Sequence, residues 1–223
     1  MRFHRESRRL RDSYKKFAVT MSRSGGKKML WPRIKDMLID SLRRQHRNME
    51  TLLDVLEREQ HVFDRGGRPD YEVIHAIISY FEVYPTACHH PQEDLILARL
   101  AVRDPVAAEA VGDLASEHRN GVVRLRRVAR AVEDVLSGGA ITRSGVNAIL
   151  RHFINSERRH IAIEERVFFP AALKALRQED WVQIACAISE GKDPLVSKAA
   201  EDGFNTVRRH ILQLEAEAEA IRA

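Results

Sequence analysis

Four long stretches of this 223-residue chain repeat apolar residues at helical spacing, and each interrupts its apolar stripe with a histidine. In the first, Leu38, Leu42, Met49, Leu53 and Leu56 share a face with His46. The second carries Ile74, Ile78, Phe81, Ile96 and Leu100 with His89, and the third Val111, Leu114, Val122 and Leu125 with His118. The fourth carries Ile149, Phe153, Val167 and Ala171 with His160. Residues three or four apart fall on one face of an α-helix, so such stripes bury only against other helices. Aromatics are sparse, Ala, Leu, Glu and Arg are abundant, and strand signals are essentially absent. The expected fold class is all-α, an up-and-down four-helix bundle with additional C-terminal helices.

Local signals set the expected boundaries. The first helix is expected over Lys35–Gln60, and the turn-rich Asp64–Asp70 loop ends on Asp70, a good N-cap for the second. Pro85 and Pro91 are expected to kink or interrupt that second helix beside His89, since each removes a backbone donor and crowds the preceding turn. Asp104-Pro105 opens a third helix expected to run to Leu136, where Ser137-Gly-Gly stops it. The fourth follows Thr142, with Pro170 near its end, and helices over Gln178–Ser189 and Ser197–Ile221 complete the chain.

The net charge of +5 is unevenly placed. Residues 1–35 hold 12 Lys/Arg against 2 Asp/Glu, leaving 25 against 30 in the remainder, so the body is mildly acidic. Residues 1–34 read as a basic, disordered tail, 35–176 as the bundle, and 177–223 as a helical extension packed on it. A basic arm can bind nucleic acid, which is kept here as a secondary role of the tail. No apolar run is long enough to span a bilayer, and Cys88 and Cys186 have neither disulfide-framework nor zinc spacing, so a cytoplasmic protein without a membrane partner is expected.

Function is suggested by two short strings. His89-His90-Pro91-Gln92-Glu93 and His160-Ile161-Ala162-Ile163-Glu164 each set a histidine four residues before a glutamate. On a helix the pair stands about one turn apart, roughly 6 Å along the axis, within reach of a single cation. With His46 and His118 the candidate ligands are His46, His89, Glu93, His118, His160 and Glu164. A lone histidine on an apolar stripe is usually a hydrogen-bonded core residue, and a lone H-x-x-x-E a surface pair. Six such groups on inward faces would carry a large burial cost without a metal or dense pairing. Imidazole and carboxylate suit iron, manganese or zinc, and six ligands suit two cations bridged by carboxylates. Helical phase sets His89 inward and His90 about 100° further round, as a neighbour of the site or a surface residue. Glu50, His61, His75 and His152 are expected outside the ligand set, with Glu117 and Glu165 exposed or supporting it.

The order His, H-x-x-x-E, lone His, H-x-x-x-E-E-x-x-x-F-P resembles the hemerythrin-like, HHE cation-binding domains. The likeness is carried by Gln45-His46-Arg47-Asn48-Met49, His89-His90-Pro91-Gln92-Glu93-Asp94 and the run His160 to Pro170. Glu179-Asp180-Trp181 and Gly191-Lys192-Asp193-Pro194-Leu195 extend it to residues 36–215. It implies a four-helix bundle with two non-haem iron ions, zinc or manganese being alternative occupants. It also implies a small partner such as dioxygen, nitric oxide or peroxide, or the sensing of iron itself; the alternative is a di-iron enzyme acting on peroxide or nitric oxide in a catalase-like or repair role. Oxygen carriers of the family have a second histidine at H-x-x-x-H in the third helix and close with H-x-x-x-x-D. Here His118 is followed at i+4 by Val122, and His160 by Glu164 and Glu165. One histidine fewer weighs against reversible oxygen carriage.

Overall fold

The structure is a computed structural model that describes residues 31–190 and 198–222. Residues 1–30 of the expected 1–34 tail and the Gly191–Leu195 string lie outside the described residues. Residues 31–34, expected to be disordered, instead form the first turn of a helix. The elements are α1 (Trp31–Asp64), α2 (Tyr71–Tyr84), a π-turn (Pro85–His89), α3 (His90–Arg103), α4 (Pro105–Val111) and α5 (Leu114–Leu136). They continue with α6 (Arg143–Ile163), a second π-turn (Glu164–Phe168), α7 (Phe169–Ala175), α8 (Gln178–Glu190) and α9 (Lys198–Arg222). Among the described residues there is no strand.

The arms are α1, α2 with α3, α4 with α5, and α6 with α7. Contacts of α1 with α2, α2 with α5, α5 with α6 and α6 with α1 close them into a ring. Caps fix where the arms start. Asp70 Oδ1 accepts from the backbone N–H of Glu72 (2.9 Å) and Val73 (3.1 Å), and Thr142 Oγ1 accepts from Gly145 N–H (3.1 Å). Each cap satisfies donors that the first helical turn otherwise leaves unpaired.

Two expectations change. The third arm is not one helix: Gly112, at φ 84°, ends α4, and Asp113 caps α5 by accepting from Ser116 N–H at 2.9 Å. Glycine takes positive φ without a Cβ clash and Asp is a good helix starter, so the dipeptide is a stop followed by a start. The second arm is interrupted once rather than twice. A π-turn begins at Pro85 and closes with His90 N–H on Pro85 O, whereas Pro91 lies in the first turn of α3, where its missing N–H is of little consequence. Gln92 Nε2 donates to Cys88 O across this junction.

The apolar interior is split in two. One cluster includes Met49, Leu53, Phe81, Leu125, Ile154 and Ile161, and the other Leu42, Ile96, Leu114, Phe168, Phe169 and Trp181. Burying side chains of this size contributes roughly 1.5–3 kcal/mol each. Along every arm the two clusters are separated by polar residues: His46 between Leu42 and Met49, Glu93 between Cys88 and Ile96, His118 between Leu114 and Leu125, Glu164 between Ile161 and Phe168. The last two helices pack on the bundle, α8 against α1 and α3 and α9 along α1 and α2. Asp180 of α8 accepts from Arg103 Nε (2.7 Å) and Nη2 (2.9 Å), and Ile211 of α9 is fully buried, with Phe204 against Tyr84 at 4.9 Å between ring centroids.

Candidate metal centre

The polar layer brings His46, His89, Glu93 and Glu164 together, all buried, with one candidate donor atom of each within 4.8 Å of the others. His118 and His160 stand beside them with His90, again with donor atoms within 4.8 Å of one another. The two carboxylates link the groups. Glu93 Oε1 lies 3.2 Å from His89 Nε2 and 3.5 Å from His46 Nε2, while its Oε2 lies 3.6 Å from His118 Nε2. Glu164 Oε2 lies 3.2 Å from His46 Nε2, while its Oε1 lies 3.1 Å from His160 Nε2 and 3.6 Å from His118 Nε2. Each carboxylate thus turns one oxygen to each group of histidines.

Outer partners aim the rings. His46 Nδ1 is 2.9 Å from Glu165 Oε1, whose other oxygen accepts from Arg43 Nε at 3.1 Å. His89 Nδ1 donates to Gln45 Oε1 at 2.8 Å, and His118 Nδ1 lies 3.5 Å from Asp94 Oδ1. Holding Nδ1 this way fixes the tautomer and leaves Nε2 as a lone-pair donor toward the centre. Phe169 stacks on the His46 ring at 5.3 Å and 8°.

The donor set fits a metal. With each Nδ1 turned to its outer partner, His46 and His89 meet Nε2 to Nε2 at 3.0 Å. That contact is repulsive unless a cation or proton lies between them. Two nitrogens each about 2.1 Å from one cation, at a right angle, stand roughly 3 Å apart. Around this pair Glu93 Oε1 and Oε2, Glu164 Oε1 and Oε2, His118 Nε2, and His160 Nδ1 and Nε2 are buried without a hydrogen-bond partner among the described residues. They approach one another, yet their alignment is wrong for hydrogen bonds. Buried polar groups are almost always paired, so such a concentration of unpaired donors marks a place for a cation.

Electrostatics agree. Burial alone would lower the His46 pKa, but Glu164, Glu165 and Glu93 outweigh it and raise it to about 11. Burial would raise the Glu164 carboxyl, and His118, His160 and His46 instead hold it well below its usual range. His90 goes the other way, lowered to about 2 by burial and by the neighbouring His118, His89 and His160. The layer is therefore a nest of carboxylate charge calling for positive charge.

Glu50, His61, His75 and His152 lie exposed on the outer faces. His90 is neither outside nor on the surface: half-buried, its ring lies parallel to that of His118 with centroids 3.7 Å apart. Spacing could not reveal Gln45 and Asp94 as ring-orienting residues, although the Gln45-His46 and Glu93-Asp94 doublets are the available trace. Beside His90, His118 and His160 a cleft of about 330 Å³, open mouth included, runs past Gly121 and Glu157 to the surface.

A helical bundle with a buried layer of shared carboxylates and inward imidazoles is a metal-binding class of protein. The hemerythrin HHE cation binding domain family model matches residues 37–172, and the chain belongs to that family. Cation binding comes with that membership, and the His/Glu cluster lies within the matched span. No curated protein and no solved structure matches the chain. Among the described residues no helix is long and apolar enough to cross a membrane.

Proposed function

We propose that this protein holds two non-haem iron ions and uses them to bind or sense a small ligand: dioxygen, nitric oxide, peroxide or iron itself. In this reading His46 and His89 serve one position, His118 and His160 the other, and Glu93 and Glu164 bridge them. The observation that carries it is the division of each carboxylate, one oxygen toward each histidine pair, with every one of those oxygens otherwise unpaired. Bound iron supplies an electrophilic, redox-active position for a diatomic or peroxide. The protein's own groups orient the imidazoles, balance charge and limit water through the two apolar clusters on either side. Zinc or manganese would use the same donors. That Cys88 and Cys186 form no disulfide fits a reducing, cytoplasmic setting.

Iron-loaded protein is the test, beside a His89→Ala/His160→Ala variant. About two irons per chain, with charge-transfer absorption lost in the variant, is the expected result for a carboxylate-bridged pair. Absence of bound metal in the unaltered protein refutes the reading.

One observation favours turnover. Glu157 lines the same cleft as His118 and His160, and burial holds its carboxyl above the usual range despite nearby His160 and Arg124. Burial thus favours the protonated form, the form that can pass a proton to a peroxide. Oxygen evolution from hydrogen peroxide, diminished in Glu157→Gln, is the expected result; absence of turnover disposes of the enzymatic reading.

A further inference from the structure

Consecutive residues on a helix project about 100° apart. At the junction of the first π-turn with α3 that angle separates two imidazoles, His89 and His90. His89 meets α1, through His46 and Gln45. His90 meets the opposite pair of arms: its ring lies over His118 of α5 at 3.7 Å and 7°, and edge-on to His160 of α6 at 6.1 Å and 87°. A candidate donor nitrogen of each of the three lies within 4.8 Å of the other two.

In-plane lone pairs of parallel rings cannot meet at one cation, so shared ligation requires the His90 ring to turn out of the stack. Stacking alone would account for the parallel rings. It does not account for three imidazoles gathered where His118 Nε2 and both nitrogens of His160 have no hydrogen-bond partner. Among the described residues no hydrogen bond or ion pair uses the His90 ring either. A hydrophobic contact would be made as well by phenylalanine, which carries no lone pair to leave unused.

We propose that His90 is the third nitrogen ligand of the position formed by His118 and His160, so that the centre holds five imidazoles unequally divided. This rests on the two-cation reading above. His46 and His89 serve one position, His90, His118 and His160 the other, and Glu93 and Glu164 are common to both. The fifth imidazole thus comes from the first residue of α3 and not from α5, where the positions four residues before and after His118 hold Leu114 and Val122. The cation with three nitrogens is held more tightly than its neighbour, so a chelator removes the two in separate steps.

Ferrous iron, loaded anaerobically into the full chain, makes the test direct. Each coordinated imidazole retains one N–H on its outer nitrogen, and unpaired electrons shift that proton far outside the ordinary NMR range. Five exchangeable shifted signals are expected from the unaltered protein and four from His90→Phe, which keeps the ring stack and removes the nitrogen. The same variant should surrender one of its irons at a chelator concentration about tenfold or more below that needed for the unaltered protein. Four signals in the unaltered protein, unchanged in His90→Phe, overturn the assignment while leaving the metal pair standing. Absence of metal, and hence of shifted signals, overturns both readings. The count in the unaltered protein decides the matter even if the variant fails to fold.

Discussion

Replacing Gln45 by leucine asks whether the centre is tuned from outside its ligands. Gln45 Oε1 accepts the His89 Nδ1 proton at 2.8 Å, in a wholly buried setting. Leucine is close in volume and removes the acceptor. In the metal-free protein the imidazole has a remedy: its proton can move to Nε2, which lies 3.2 Å from Glu93 Oε1 and 3.0 Å from His46 Nε2. With a cation on Nε2 that tautomer is forbidden, and the proton must stay on Nδ1 without a partner. An unpaired buried donor costs about 1–3 kcal/mol. The loss therefore falls on metal affinity, by roughly 5- to 150-fold at about 1.4 kcal/mol per decade, and spares the metal-free fold. Gln45→Glu restores an acceptor and should recover most of the affinity. Competition with a chromophoric chelator reads the first quantity and urea denaturation of the metal-free protein the second. Affinity within twofold of the unaltered protein, or a metal-free stability loss as large as the affinity loss, would refute the reasoning.

Three further outcomes follow from other parts of the fold. Burial alone would raise the Asp180 carboxyl, but Arg103 and the Arg177 N–H hold it below its usual range, so its stabilisation is full above the ordinary carboxylate pKa and fades as pH falls through the depressed one. Asp180→Asn should accordingly lower the thermal midpoint at neutral pH, with the gap closing below about pH 4; a gap that is constant with pH would contradict the pairing. Phe153→Ala removes a ring only 1% exposed and edge-on to Phe81 at 5.7 Å, and should cost about 3–5 kcal/mol by urea denaturation. Gly112→Ala meets no atom within 4 Å, so its cost is that of a Cβ at φ 84° alone, about 1–2 kcal/mol; a neutral substitution would mean that the α4–α5 turn does not hold that conformation.

What could be seen in the sequence was what is local. Helical stripes and the caps Asp70 and Thr142 need only neighbouring residues, and the helices fall where those signals stand. The Gly112-Asp113 break is equally local, but apolar spacing on either side stays nearly in phase, so the stripe alone reads as one helix. His90 is a different matter. Helical phase sets it about 100° from His89, an angle that leaves open whether it adjoins the site or lies on the surface. A bundle helix has two neighbours, and a residue 100° away from one faces the other. Gln45 and Asp94 act on rings in other helices, so no spacing along the chain links them to His89 and His118. The second π-turn has no cause apparent in its residues beyond its start at Glu164, the acidic member of the His160–Glu164 pair.

The separation of the interior into two apolar clusters bears on how the molecule comes apart. Each arm crosses the polar layer once, and the two clusters share no buried residue, so cations held in that layer as proposed would tie the halves together. Loaded, the chain should open as one cooperative unit. Stripped, the halves meet across carboxylates held only by the facing imidazoles, and should be freer to open one at a time. Amide exchange at Leu53 and at Ile96, one on each side of the layer, would then run in step in the first case and part company in the second.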